Sequence, residues 1–378
     1  MTQAAVRWDR PFSVLDRLRP DYPVYFFSPR VLQNTARSFQ AEFPGQVSYA
    51  VKANDRIEVL ANLAAAGVAA FDVASPHEID LVRRVVPGAA LHYNNPIRSR
   101  AEIAHAMRAG VSSYALDAAT ELRKLVDGGV PEGCEISVRF KLPVKGAAYD
   151  FGEKFGTDPD RAVELLRAVA AAGYRPSITF HPGTQCPDGA AWIAYIRMAA
   201  RIAARAGVTP ERLNVGGGFA AHRTGDAPNR PAIIASIAQG VAESFETPPA
   251  LVCEPGRAMV ADAFALAVRI KALPEDGAVF LNDGIYGQLA EMPVLGMTDR
   301  FAVLGPDGPR RGRLRPCRCF GPTCDSLDTL PGKLMLPEDI AEGDWLLFQG
   351  MGAYGHVTAT GFNGYGQADV VTVDQVDS

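Results

Sequence analysis

The chain has 378 residues, 48% of them hydrophobic and 21% charged, a composition that excludes a disordered or low-complexity protein and allows a large core, with two domains the natural division. Its net charge of −4, with Arg310-Arg311-Gly312-Arg313 as the one short basic segment that stands out, argues against nucleic acid as the main partner. No window reaches transmembrane length.

The N-terminal stretch is interrupted by Arg7, Asp9 and Arg10 and has no apolar leader region. Six cysteines (134, 186, 253, 317, 319 and 324) are too few for a disulfide framework in so long a chain. Cys317-x-Cys319 with Cys324 lacks the paired spacing of a zinc site. Free thiols, no metal and a cytoplasmic location are expected.

In chain order, Val24–Ser28 reads as a strand and Pro29–Phe43 as a helix. From Val47 onward, short apolar runs alternate with stretches of helical period. The runs cover 47–51, 70–74, 91–94, 113–116, 135–140, 177–181, 212–215 and 250–253. Helices are predicted at Ile57–Ala66, Pro76–Val85, Ser99–Ala109, Ala118–Val126, Pro159–Ala172, Ala190–Ala206 and Pro231–Phe245. Asp55, Ser75-Pro76 and Asp158-Pro159 supply helix starts, and Gly67, Gly110, Gly173 and Gly207 supply stops. Eight strands alternating with helices predict a (β/α)8 barrel of the TIM type. An open doubly wound sheet is the alternative, but it gives no reason for a count of eight. After Ala263 the texture changes to β-like runs at Phe264–Ile270, Ala278–Leu281, Leu314–Phe320, Trp345–Gln349 and Val370–Val373. The expected organisation is a barrel over 28–263 and an all-β domain over 1–27 and 264–378, with the N-terminal strand returning to the latter.

A barrel of this kind places its chemistry at the C-terminal ends of its strands. There the sequence puts Lys52 and Asn54, Asp72 and Ser75, Asn94 and Asn95, Asp117, Arg139, His181, Gly216-Gly217-Gly218, and Glu254-Pro255-Gly256-Arg257. Taken singly, Lys52 is an ordinary strand-end lysine, His181 a structural hydrogen-bonder, and the triple glycine a tight turn. Together, a glycine loop and Arg257 on the last two strands suit a phosphate. No nucleotide fingerprint accompanies them. A phosphate with a reactive lysine points to pyridoxal 5′-phosphate, and Glu254 suits the cofactor's ring nitrogen. In the β-domain, Gly321-Pro322-Thr323-Cys324-Asp325-Ser326 sets a thiol beside a carboxylate, and Gly352-Ala353-Tyr354-Gly355 is a second glycine-flanked polar group. Read alone, these are a polar turn and a strand terminus.

Seven segments in order then carry a family resemblance: Tyr49-Ala50-Val51-Lys52-Ala53-Asn54, Phe180-His181-Pro182-Gly183-Thr184-Gln185, Gly216-Gly217-Gly218-Phe219, Glu254-Pro255-Gly256-Arg257, Asn282-Asp283-Gly284, Gly321-Pro322-Thr323-Cys324-Asp325 and Gly352-Ala353-Tyr354. Over nearly its whole length the chain resembles the fold-type III pyridoxal-phosphate decarboxylases of ornithine, lysine, diaminopimelate and arginine, which share the alanine-racemase-like barrel. The resemblance implies that Lys52 is the Schiff-base lysine, that Glu254 partners the pyridinium nitrogen and that His181 stacks on the ring. Thr184, Gly216 to Gly218, Gly256, Arg257 and Tyr354 match the phosphate and cofactor contacts. Asp72, Glu78 and Arg139 match positions around the lysine and cofactor. Cys324, given across a head-to-tail homodimer interface, matches the residue that protonates Cα after carbon dioxide leaves, and Asp325 the partner of a distal amine. The resemblance also implies a small amino-acid substrate and a place in polyamine synthesis.

One stretch departs from that pattern. Ornithine decarboxylases carry an aromatic residue followed by aspartate shortly after Asn-Asp-Gly, whereas here Gly287 to Leu295 offers only Glu291 as an acid. The expected activity is decarboxylation of ornithine or lysine. The alternatives are diaminopimelate, a larger amino-acid conjugate such as a siderophore or antibiotic precursor, racemisation on the same fold, and a non-catalytic regulator.

Overall fold

A computed structural model describes residues 8–143 and 154–377, so Arg7 of the N-terminal stretch lies outside the described residues. Among the described residues, eighteen strands run in chain order: β1 (Val24–Phe27), β2 (Gln46–Ala50), β3 (Ala70–Val73), β4 (Ala90–Tyr93), β5 (Ser113–Leu116), β6 (Glu135–Arg139), β7 (Arg175–Thr179), β8 (Arg212–Asn214), β9 (Ala250–Cys253), β10 (Phe264–Ala272), β11 (Val279–Leu281), β12 (Phe301–Gly305), β13 (Gly308–Pro309), β14 (Leu314–Cys317), β15 (Cys319–Phe320), β16 (Leu334–Pro337), β17 (Trp345–Gln349) and β18 (Asp369–Thr372). Two compact units result. One comprises 35–220 and 228–259, the other 1–34, 221–227 and 260–378.

In the first unit, β2 to β9 close into a parallel barrel. Closure is explicit in the pairing of β9 back onto β2, Val252 with Gln46 and Cys253 with Val47, so the open-sheet alternative is excluded. The strands read as continuous apolar runs because helices cover the outer face while side chains fill the interior. Local chemistry starts the helices where the sequence predicts. Ser75 Oγ accepts the Glu78 N–H at 3.3 Å with Pro76 in the first turn. Ser99 and Glu102 form a reciprocal capping box. Asp158 accepts the Asp160 and Arg161 N–H groups at 3.1 and 3.0 Å.

The N-terminal end of the barrel is tied by a polar cluster. Arg212 donates to both Glu135 oxygens, with Nε to Oε1 at 2.8 Å, and to Gln46 Oε1 at 2.7 Å, linking β8, β6 and β2. Burial, followed by the Arg212 charge, lowers the neighbouring His92 to about 3, so it stays neutral. At the opposite end of β8, Trp192 Nε1 donates to Val215 O at 3.1 Å and fixes the chain just before the glycine loop.

The second unit is built on a mainly antiparallel sheet in the order β13-β12-β17-β10-β1-β18, with β11 and β15 off this path and β14-β16 as a separate pair. β1 lies between β10, antiparallel, and β18, parallel. Its core includes Phe26, Ala265, Leu304, Trp345 and Leu347. The predicted strand Leu314–Phe320 is two strands, β14 and β15, which pair with different partners. β12 and β16 have no counterpart among the predicted runs. Among the described residues, no helix is long and apolar enough to cross a membrane.

Candidate active site

Lys52 lies in a 3-10 turn, Val51–Ala53, directly after β2, rather than at the end of the strand. The turn is held by its backbone and by neighbours. Asn54 N donates to Val51 O at 3.0 Å, and Tyr49 Oη donates to Asn54 O at 2.9 Å. A side chain on Gly256 would put its Cβ 3.0 Å from Ala53 Cβ, so the glycine lets the loop after β9 pack on this turn. Val51 and Ala53 are buried while Lys52 is exposed. The turn therefore presents one amine on a fixed base.

The charged groups around that amine are mutually arranged. Asp72 on β3 is buried, and its Oδ1 has no hydrogen-bond partner among the described residues. Burial, then the Glu254 charge, pushes its carboxyl well above the ordinary range, while Lys52 and Arg139 oppose the shift. Glu78 accepts the Ala74 N–H at 2.7 Å, and burial raises it too. Arg139 ends β6; burial lowers its guanidinium, and Glu254, Asp117 and Asp72 oppose that. His181 follows β7 by two residues and accepts the Gly183 N–H on Nδ1 at 3.2 Å. Burial, with Lys52 and Arg139 nearby, holds its imidazole far below the usual value, hence neutral. A neutral ring between cations can lie against an aromatic ligand without bringing a third positive charge.

The loops after β8 and β9 form a backbone cradle. A Cβ on Gly216 would lie 2.3 Å from Phe180 O, one on Gly217 2.9 Å from Glu254 O and 3.1 Å from His181 Nε2, and one on Gly218 2.8 Å from Gly183 O. Glu254 N donates to Gly216 O at 2.8 Å, and Cys186 N donates to Gly218 O at 3.0 Å. The second bond fastens the His181–Thr184 loop to the glycine loop. Arg257 is buried at the start of the short helix Arg257–Val260. Two asparagines to which the sequence assigned no role complete this floor: Asn94, already placed at a strand end, and Asn214, which was not singled out. Asn94 Nδ2 donates to Glu254 Oε1 at 2.5 Å, and Asn214 Nδ2 donates to the same oxygen. Their positions at strand ends were the available signal; an amide's partner cannot be read from its place in the chain.

The barrel unit thus brings together Lys52, Asp72, Glu78, Arg139, His181, Thr184, Gly216 to Gly218, Glu254, Gly256 and Arg257. The other predicted residues belong to the second unit. Cys324 is exposed, and its N–H donates to Asn363 Oδ1 at 3.1 Å. Asp325 accepts Tyr286 Oη at 2.5 Å on one oxygen and the Leu327 N–H at 2.9 Å on the other. These bonds lower Asp325, and the carboxylate raises Tyr286. Glu291 precedes the helix Met292–Leu295 and lines a small cavity with Arg223, Gln288, Met292, Met351 and Ala353. Tyr354 has φ 62°, and its carbonyl accepts Thr358 N–H and Oγ1 at 3.0 and 2.7 Å.

The same unit buries an acid outside the predicted set. Asp283 is fully buried, and desolvation raises it to about 7, while N–H donation from Gln288 and Gly284 opposes the shift. A carboxyl raised on folding stabilises fully below its unfolded value and loses that contribution as pH rises through about 7. Asp283→Asn should therefore gain melting temperature relative to the parent between pH 4 and 7, with the difference level above that range. Parallel melting curves across pH test this, and a pH-independent difference would refute it.

Comparison with known proteins agrees with this geometry. Residues 30–261 match the family model described as "Pyridoxal-dependent decarboxylase, pyridoxal binding domain". The chain is 31% identical over 342 residues to the ornithine decarboxylase of Panagrellus redivivus, covering 84% of this chain and 77% of that protein. It is 31% identical over 330 residues to the lysine/ornithine decarboxylase of Selenomonas ruminantium, covering 84% and 81%. Among solved structures, the arginine decarboxylase of Paramecium bursaria Chlorella virus bound to agmatine superposes with a TM-score of 0.86 at 25% identity, covering 96% of this chain and all of the other.

Proposed function

The chain belongs to the pyridoxal-dependent decarboxylases, and from that premise we propose that it removes the α-carboxylate of an amino acid bearing a distal amine, of the ornithine or lysine type, to give the diamine and carbon dioxide. The observation that carries the reading is the barrel rim itself. One amine, a neutral imidazole, a glycine cradle beside an arginine, and a carboxylate restrained by two amides converge in one unit. The cofactor fits these residues: Asp72 Oδ1 is a buried polar atom awaiting a partner, and the cradle admits an anion where any side chain would collide.

When bound, pyridoxal phosphate supplies an electron sink for the pair left at Cα as carbon dioxide departs. Lys52 would supply the amine that holds the cofactor aldehyde and gives it up to the substrate amine. The Gly217 and Gly218 N–H groups, Thr184, Arg257 and Tyr354 would hold the phosphate, while Gly216, its N–H taken by Asn214, shapes the loop that carries them. Glu254 would accept the ring-nitrogen N–H, while Gly256 gives its loop room against Ala53. His181 would lie against the cofactor ring. Asp72, Glu78 and Arg139 balance charge around Lys52 so that its amine can move between bound and free states. Cys324 delivers a proton to Cα, and Asp325 pairs with the distal ammonium once Tyr286 yields it. Cys324 and Asp325 act in the site of a partner subunit, which makes the enzyme a homodimer. A cytoplasmic location and a diamine product that enters polyamine synthesis complete the reading.

The altered 288–295 stretch supports a second substrate class, a larger conjugate of the same amino acids. Incubating the holoenzyme with ornithine, lysine, arginine, diaminopimelate and such conjugates, while measuring carbon dioxide and identifying the amine, separates the two. Diamine from ornithine or lysine is expected. Turnover of another member with none of these two would overturn the substrate. Loss of optical rotation without carbon dioxide would overturn the reaction.

A further inference from the structure

We propose that Asn94 and Asn214 are a positioning pair that restrains Glu254 as a one-oxygen acceptor for the cofactor's ring nitrogen; this rests on the reading of Glu254 given above. Glu254 follows β9. Asn214 lies on the adjacent β8, and Asn94 follows β4, three strands away around the barrel in the other direction. Both amides nevertheless end on Glu254 Oε1. All three side chains are buried, with exposures of 8%, 5% and 8% for Asn94, Asn214 and Glu254. With both amides on Oε1, the carboxylate keeps Oε2 as the oxygen to offer a ring N–H donor.

The amide orientations are not arbitrary. Gly216 N–H, which can only donate, points to Asn214 Oδ1 at 2.9 Å, and that leaves Nδ2 to face Glu254. Asn94 faces a carboxylate oxygen and must present its donor as well. Two donors from opposite sides fix the carboxyl plane, because rotation about the terminal bond would break both contacts at once. Through its Oδ1, Asn214 further couples Glu254 to the glycine loop, so one side chain serves both ends of the predicted cofactor site.

The test is calorimetric titration of cofactor-free protein with pyridoxal 5′-phosphate and with its 1-deaza analogue, in which carbon replaces the ring nitrogen. Asn94→Ala and Asn214→Leu should each weaken binding of the natural cofactor about tenfold and leave the affinity for the analogue unchanged. Equal losses for both ligands would mean that the pair only supports the fold, and would overturn the proposal. So would no loss for either. Asn94→Ser, which keeps a donor, should recover part of the affinity and covers the case in which Asn214→Leu does not fold. Glu254→Ala separates the two levels of inference. If it discriminates between the ligands and the asparagine variants do not, the pair fails and the role of Glu254 stands. If Glu254→Ala does not discriminate, that role falls and the pair with it.

Discussion

Lys52→Ala is expected to cut decarboxylation by about a thousandfold or more, because it removes the one group that can hold and release the cofactor aldehyde covalently. The fold should not notice. Lys52 is exposed, and its turn is held by Tyr49 Oη, the Asn54 N–H and the packing of Gly256. Stability of the cofactor-free variant should stay within about 0.5 kcal/mol of the parent in urea unfolding. The visible absorbance of lysine-bound cofactor should disappear. If Cys324 serves the partner's site, mixing Lys52→Ala with Cys324→Ala under conditions that exchange subunits should restore about a quarter of native activity, since half the dimers are mixed and each holds one intact site of two. No recovery on confirmed exchange would place both residues in a site drawn from one chain.

The largest structural effect is expected at Gly216. Its φ of +66° disfavours any other residue, and a Cβ would meet Phe180 O at 2.3 Å, a backbone atom in a packed strand end. Gly207 has the same φ of +66° with nothing within 4 Å of an added Cβ, which makes it the natural control. Gly207→Ala should cost about 1 kcal/mol from backbone strain alone. Gly216→Ala should cost about 3 kcal/mol or more, because collision adds to strain. It should also weaken cofactor binding, since Gly216 O anchors the Glu254 N–H and Gly216 N–H orients Asn214. Urea midpoints of both variants give the first comparison. Equal costs at the two glycines would show that the loop yields and that the close approach does not constrain it.

Much of the barrel was legible because its signals are local. Ser75-Pro76 and Asp158-Pro159 start helices by capping, and the helices Pro76–Val85 and Ala190–Ala206 have the predicted ends. The strands Ser113–Leu116 and Ala250–Cys253 also match residue for residue. Lys52 shows the limit: Val51 continues the apolar run, so composition alone cannot tell that the chain has already turned. In the second unit, strands such as β12 and β16 are short, and their registers depend on partners far along the chain. The hydrogen bond from Tyr286 to Asp325, and the convergence of Asn94 and Asn214 on Glu254, join residues 39, 160 and 40 positions apart. Such pairings are properties of the closed barrel and the folded sheet, and no periodicity announces them.

The division of residues between the two units has an evolutionary consequence. Apart from Tyr354, the groups that would grip pyridoxal phosphate sit at the ends of parallel strands whose register closes a ring, so each is constrained by its neighbours. Glu291, Asp325 and the stretch from Gly287 to Leu295 belong to the other unit, in short turns and a four-residue helix. Mutation there can drift without disturbing the inherited reaction centre. A lineage could in this way exchange one amine-bearing substrate for another while the machinery that breaks the carbon–carbon bond is passed on intact.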